Sequence, residues 1–155
     1  MGRYALPGLY AMGAMFTLWA AACSPAQPPS TPVMQAFDRY EAIRVSLSGD
    51  SMDAVGEQAT ELVPLAGQVA GKEAEAAASR LAAAGTVADA RLEFISVSSE
   101  LVPKFLEAEL PEVQGFMCPA KNHGDLIWAQ RSDEIQNPYF GSAMLDCGSE
   151  IQPPE

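Results

Sequence analysis

The chain has 155 residues and a formal net charge of −11, with 20 acidic side chains against nine lysines and arginines. So acidic a surface repels phosphate backbones, and we therefore do not expect nucleic acid as a partner. Apolar residues make up 48% of the chain and aromatic residues only 8%. Together with the many alanines, this composition is typical of packed helices rather than of a β-sandwich. The length suffices for one domain with a modest core.

The first 22 residues have the pattern of an export signal. Met1 and Arg3 give a positive start, residues 4–19 are mostly apolar, and alanines 20–22 precede Cys23. Small residues followed at once by a thiol are what cleavage and lipid modification require, although Ala20 stands where such sites usually carry Leu. We expect a lipoprotein anchored through Cys23 in the outer membrane and facing the periplasm. A retained anchor and plain cleavage with a free Cys23 are the alternatives.

Residues 23–31 are predicted to form a tether, because closely spaced prolines favour extended chain. Residues 32–151 are then predicted to form a single domain. Thr31 and Pro32 are expected to begin a first helix that ends at Gly49. Ser51 is expected to cap a second helix, which Pro64 must kink or split because proline removes a backbone hydrogen bond.

Two further helices are predicted before residue 111. An Ala-rich helix lies between Gly71 and Gly85, and Thr86 with Asp89 forms a capping box for a long fourth helix. Pro103 is expected to bend or end that helix locally. Four helices joined by short turns predict a mainly α fold, an up-and-down bundle of about four helices with a small irregular or β C-terminal segment.

The C-terminal segment, residues 115–148, has a different composition, with cysteines, aromatic residues and turn signals. Residues 115–118 and 126–130 are predicted to be short strands. Ser132 is expected to cap one helical turn, and Gly141 to allow a tight turn.

The same segment carries motifs that resemble a known family. The matching residues are Arg91, Phe94, Leu101, Cys118-Pro119, Trp128, Glu134-Ile135, Asn137-Pro138-Tyr139-Phe140-Gly141, Met144 and Cys147-Gly148. They resemble the small exported domain of unassigned function that is also found at the C-terminus of periplasmic adaptor proteins of copper and silver efflux pumps. The resemblance covers roughly residues 36–151 and departs from the family at Ala120, where the family has Met.

A soft metal site is the first hypothesis for this segment. Thiolate and thioether sulfurs select Cu(I) or Ag(I) over harder ions. The candidate ligands are Cys118, Cys147, Met144, Met117 and the chain's only histidine, His123. Met144 and Cys147 are three positions apart, so on one helical turn both sulfurs face the same side.

A disulfide between Cys118 and Cys147 is the competing hypothesis, because an exported protein meets an oxidising compartment. In the chain-entropy description, closing that loop stabilises the fold by roughly 3.5 kcal/mol. Met144 and Met117 are then core residues and His123 is a loop residue. The residues alone leave both hypotheses open.

Catalysis is not expected. His123 and Asp125 lack a serine in a nucleophile-like context, and the chain has no Cys-x-x-Cys pair, no glycine-rich phosphate loop and no zinc spacing. The leading prediction is a membrane-tethered binder that buffers copper or passes it to an efflux system, with a heavy-metal efflux adaptor as partner. The alternative is a disulfide-stabilised structural or protein-interaction module without metal.

Overall fold

The computed structural model describes residues 30–151 together with Gly2. The predicted signal peptide, Cys23 and most of the predicted tether lie outside the described residues. Four helices are followed by a small antiparallel sheet, which confirms the predicted mainly α fold with a β segment at the C-terminal end. The elements are α1 (Pro32–Ser48), α2 (Val55–Ala70), α3 (Lys72–Ala82), α4 (Val87–Glu107), β1 (Gln114–Ala120), β2 (Gly124–Gln130), a 3₁₀ turn (Gly141–Ala143) and β3 (Ser149–Glu150).

The first and fourth helices begin at the predicted caps. The Thr31 hydroxyl accepts a hydrogen bond from the Met34 backbone N–H at 3.3 Å, and Pro32 is the first helical residue. The Thr86 hydroxyl accepts from the Asp89 N–H at 3.1 Å and donates to the Asp89 carboxylate at 2.7 Å. Each cap gives a partner to a backbone donor that the helix itself leaves unpaired.

The predicted Ser51 cap was wrong, and the two helix prolines lie within continuous helices. The Ser51 hydroxyl accepts from the Asp53 N–H within a turn, and α2 begins only after Ala54, which has a left-handed backbone with φ 62°. Pro64 does not split α2, and Pro103 does not end α4. Packing of the apolar face along both helices outweighs the one backbone hydrogen bond that each proline removes.

The core lies between the four helices and one face of the sheet. Tyr40 stacks on Phe94 at 4.7 Å between ring centroids and meets Phe105 edge-on at 5.2 Å. Trp128 on β2 is fully buried and stacks on Phe116 of β1 at 5.7 Å. This aromatic chain joins α1 and α4 to the hairpin, so helices and sheet share one core.

The sheet has the strand order β2-β1-β3 and is antiparallel throughout. Residues 115–118 and 126–130 lie in β1 and β2 as predicted, and the register pairs Cys118 with Leu126. β3 was not predicted; its Ser149 pairs with Met117. The helical turn predicted after Ser132 is absent from the described residues, and the Ser132 hydroxyl instead accepts from the Glu134 N–H at 3.1 Å.

Side chains cover the β2 edge of this sheet, and a proline limits the pairing on the other side of β1. At β2, the Tyr139 hydroxyl donates to the Ile127 carbonyl, and the Tyr40 hydroxyl accepts from the Ala129 N–H at 3.4 Å. Burial raises the pKa of both phenols above their usual range, so both hydroxyls stay protonated. At β1, alternate residues face β3, and Pro119 is the next of these after Met117. Proline has no N–H to offer, so the pairing ends there.

Among residues 2 and 30–151, no helix combines the length and apolar character needed to cross a bilayer.

Candidate functional site in the C-terminal tail

The structure joins Cys118 and Cys147 by a disulfide bond, with their Cα atoms 5.9 Å apart. Cys118 is fully buried on β1, and Cys147 lies just before β3. The bond therefore fastens the C-terminal tail, defined here as residues 131–151, to the central strand of the sheet.

The remaining candidate metal ligands lie on the opposite face of β1 or in exposed turns. Met117 follows Phe116 on β1 and points to the opposite face of the strand from Cys118. Met144 is 44% exposed, and its backbone is not helical; the Cys147 N–H reaches the Met144 carbonyl in a single turn at 3.2 Å. The predicted helical turn over residues 144–147 was therefore wrong. His123 is exposed in the turn between β1 and β2.

With the disulfide formed, the predicted ligands do not fit a soft metal ion. A bridged sulfur is no longer a thiolate, and thiolates are what Cu(I) and Ag(I) select. Within the described part of the chain, no group of three or more His, Cys, Asp or Glu side chains is arranged to hold a metal. Copper binding by this segment requires its reduced form.

Asn137 organises the tail from within. It is fully buried, and its side-chain oxygen accepts from the N–H groups of Tyr139 and Phe140 at 2.8 and 3.2 Å. Its side-chain nitrogen donates to the Cys147 carbonyl at 2.8 Å, and its backbone N–H donates to the Leu145 carbonyl at 2.8 Å. Asparagine is suited to this position because one side chain offers both an acceptor and donors.

Arg91 links the tail to two other parts of the fold. From α4, its guanidinium donates to the carbonyls of Pro138 at 2.8 Å and Leu47 at 2.6 Å, and to the Asp50 carboxylate at 2.6 Å. The Asp50 carboxylate also accepts from the Ser142 N–H at 3.1 Å. The hydrogen bonds from Ser142 and from Arg91 lower the pKa of Asp50 from 3.8 to about 2.

At two positions of the motif, glycine is required because other side chains lie close to the backbone. Gly141 has φ +54°, and a side chain there would collide with the Arg91 guanidinium and the Asp50 carboxylate. At Gly148, a Cβ atom would lie 2.6 Å from the Trp128 ring. The tail motif thus has glycine at the two positions where a Cβ atom would collide with the Arg91–Asp50 pair or with Trp128.

Two buried polar residues that the sequence reading missed hold the loop before Asn137. Arg44 makes a bidentate pair with Glu41 at 2.7 and 2.9 Å and donates to the Gln136 carbonyl at 3.0 Å. Gln130 donates to the carbonyls of Ser132 and Glu134, both at 2.6 Å, and accepts from the Trp128 indole at 2.9 Å. The contact between Arg44 and Gln136 joins positions 92 residues apart, and the bonds of Gln130 depend on the irregular course of the chain after β2.

A groove of about 350 Å³ opens between α4 and the β1–β2 hairpin. Leu92, Ile95, Leu126 and Phe140 contribute to its walls, together with Ala88 and Tyr139. Among the described residues that line it, only Arg91 and His123 have side-chain nitrogen atoms. The groove, and not the disulfide, is where His123 and the tail motif meet.

Comparison with protein-family models, with curated proteins and with solved structures finds no match to this chain. The resemblance to the exported domain of copper and silver efflux adaptors remains a prediction from the motif residues.

Proposed function

We propose that this protein is a non-enzymatic, membrane-tethered interaction module of the cell envelope, whose C-terminal tail is fixed by the Cys118–Cys147 disulfide. The observation that supports this most directly is the disulfide itself. The export signal and Cys23 read from the sequence are consistent with an oxidising compartment, in which such a bond persists. The resemblance implies a heavy-metal efflux adaptor as the partner.

The roles of the motif residues support the same proposal. The tail is held in place by the hydrogen bonds of Asn137 and Tyr139. The absence of a side chain at Gly141 lets the tail backbone approach the helices closely. None of these contacts has the arrangement of a nucleophile with a base. These contacts fix the tail against the helices, and a surface held in this way is suited to binding a partner.

The test is the thiol state of protein taken from the periplasm without reductant. Alkylation before and after reduction, read by mass spectrometry, should recover Cys118 and Cys147 as one linked pair, without stoichiometric copper. A Cys118→Ser/Cys147→Ser double variant is the control, because it can give neither a linked pair nor an alkylated thiol at these positions. Recovery of both cysteines as alkylated thiols, with one copper ion per chain, would overturn the proposal.

A second candidate function is Cu(I) binding by the reduced protein. It is favoured by the 5.9 Å separation of the two cysteine Cα atoms and by the exposure of Met144 three residues before Cys147. Soft donors so placed suit a low-coordinate copper site.

Competition with a Cu(I) chelator under reducing conditions tests this candidate. Cys118→Ser and Cys147→Ser should each abolish binding, and Met144→Leu should weaken it. Met52→Leu is the matched control, because Met52 lies in the α1–α2 connection and should leave the titration unchanged. If the two cysteine variants bind Cu(I) as tightly as the wild type, the candidate is wrong.

A further inference from the structure

We propose that the groove between α4 and the β1–β2 hairpin binds a small amphiphilic carboxylate, an acyl or aryl chain with one carboxylate group. The apolar part would lie along Leu92, Ile95 and Leu126, and the carboxylate would face Arg91 and His123. This inference goes beyond the proposed function and does not depend on the state of the cysteines.

Several apolar side chains of the groove are exposed to solvent. Leu92 is 53% exposed, on the helix that forms one wall of the groove. Ile95 and Phe140 are only partly buried beside it. A volume of about 350 Å³ falls within the range of roughly 300–1,000 Å³ that small-molecule sites occupy. Covering these side chains with an apolar chain would remove them from water.

The described side chains that line the groove carry no negative charge. The chain carries a net charge of −11, yet no acidic side chain of the described residues contributes to the lining. Arg91 and His123 are the lining residues that offer nitrogen donors. Lys121 lies two positions before His123 in the hairpin turn and forms no ion pair with residues 30–151. The Asp50 carboxylate pairs with Arg91 Nη2 but does not line the groove. An anion is the ligand that complements the donors of the lining.

The Arg91 guanidinium is fixed and still has capacity for a ligand. Its Nε and Nη2 atoms are held by Pro138, Leu47 and Asp50, whereas Nη1 has no partner among the described residues. The Arg91 side chain is 19% exposed, so a ligand can reach it from solvent. A donor already held in position loses little conformational entropy when it binds a carboxylate.

The experiment is an NMR titration of the disulfide-bonded protein with octanoate, with 1-octanol as the uncharged control of equal chain length. Octanoate should shift the backbone amides of Leu92, Ile95 and Leu126 in a saturable manner. Octanol should bind about fivefold more weakly or worse, since it lacks the charge-assisted hydrogen bond. Absence of saturable shifts, or equal affinity for the two probes, would overturn the proposal.

Substitutions at two apolar residues of similar exposure distinguish the groove from the rest of the surface. Leu92→Asp should weaken octanoate binding by about tenfold or more, because it removes apolar wall and adds a repelling charge. Val45→Asp is the matched control, since Val45 on α1 is 50% exposed and does not line the groove. His123→Gln should weaken binding by a smaller factor. Equal affinities for Leu92→Asp and Val45→Asp would contradict the assignment.

Sedimentation of the same samples tests for a different occupant. The protein should remain a monomer with and without octanoate. A wild-type dimer that Leu92→Asp dissociates and Val45→Asp does not would assign the groove to a second copy of the chain, and would overturn the carboxylate proposal.

Discussion

Gly141 is excluded from carrying a side chain by both its backbone and its neighbours. Its φ of +54° is a left-handed conformation, and a Cβ atom would meet Arg91 and Asp50. Gly141→Ala should therefore lower the free energy of unfolding by about 2 kcal/mol or more, because the Arg91–Asp50 pair must move as well. Urea denaturation of the oxidised protein measures this change.

Gly56→Ala is the matched control for that prediction. Gly56 lies within α2, and a Cβ atom there would have no neighbour within 4 Å. Alanine should stabilise the protein by about 0.5–1 kcal/mol, since it reduces the entropy of the unfolded chain. If both alanine variants changed stability in the same direction, the role given to the Gly141 backbone would be wrong.

Single residues were predictable where their partners are close along the chain. Thr31 and Thr86 cap helices through N–H groups three positions later, and both caps were read from the sequence. Arg44 was not found, because its contact with the Gln136 carbonyl forms only when distant segments meet. Gln130 was not found although its partners lie within four positions, because its bonds to backbone carbonyls need the irregular chain after β2, which no sequence pattern predicts. Ser51 was predicted to cap α2 because serine is a common cap residue, but its hydroxyl accepts a hydrogen bond within a turn before the helix.

The connection between α1 and α2 is joined to the tail through Asp50. The folded-state pKa of Asp50 is about 2 and its unperturbed value is 3.8. A depressed pKa contributes stability that is fully present above pH 3.8 and is lost as the pH falls from 3.8 through 2. Asp50→Asn should therefore be less stable than the wild type at neutral pH, and this difference should shrink across that acidic range.

Unfolding midpoints at a series of acidic pH values measure this convergence. Asp53→Asn is the control, because it leaves the Arg91–Asp50–Ser142 contacts in place and should follow the wild-type curve. A constant difference between wild type and Asp50→Asn down to the lowest pH would show that the pair contributes through packing and not through charge.

Reduction of the disulfide that links β1 to the tail is expected to destabilise the protein. Opening the Cys118–Cys147 bond should lower the free energy of unfolding by roughly 3.5 kcal/mol, because the unfolded chain regains the freedom of the closed loop. The denaturant slope should rise, since the reduced unfolded chain exposes more surface. Dithiothreitol should have no effect on Cys118→Ser/Cys147→Ser. Equal stability of the oxidised and reduced wild type would contradict this account.

Elements with a repeating apolar pattern were predicted, and those made by tertiary contact were not. The helices and the two longer strands follow such patterns. β3 has only Ser149 and Glu150, and it pairs with β1 where the nearby disulfide and Gly148 bring the chain alongside. The helical turn expected from the spacing of Met144 and Cys147 did not form, because the hydrogen bonds of Asn137 fix the backbone there.

At the scale of the whole molecule, α1 begins where the predicted tether ends. It starts at Pro32 and is capped by Thr31. Proline-rich chain extends by about 3 Å per residue, which would hold the domain roughly 25 Å from an anchor at Cys23. An interaction module on such a spacer can reach partners in the envelope while it remains bound to the membrane.

The last prediction concerns that anchor. If Cys23 carries lipid, the wild type should sediment with membranes, and mass spectrometry should find an acylated N-terminal peptide that begins at Cys23. Cys23→Ser should lose the lipid and leave the membrane fraction, because a tether without an acyl chain has no apolar group to insert. Cys118→Ser/Cys147→Ser is the control, since it removes the other two cysteines of the chain without affecting the anchor. Retention of Cys23→Ser in the membrane would indicate an uncleaved N-terminal anchor, and a soluble, unmodified wild-type chain would contradict the lipoprotein prediction altogether.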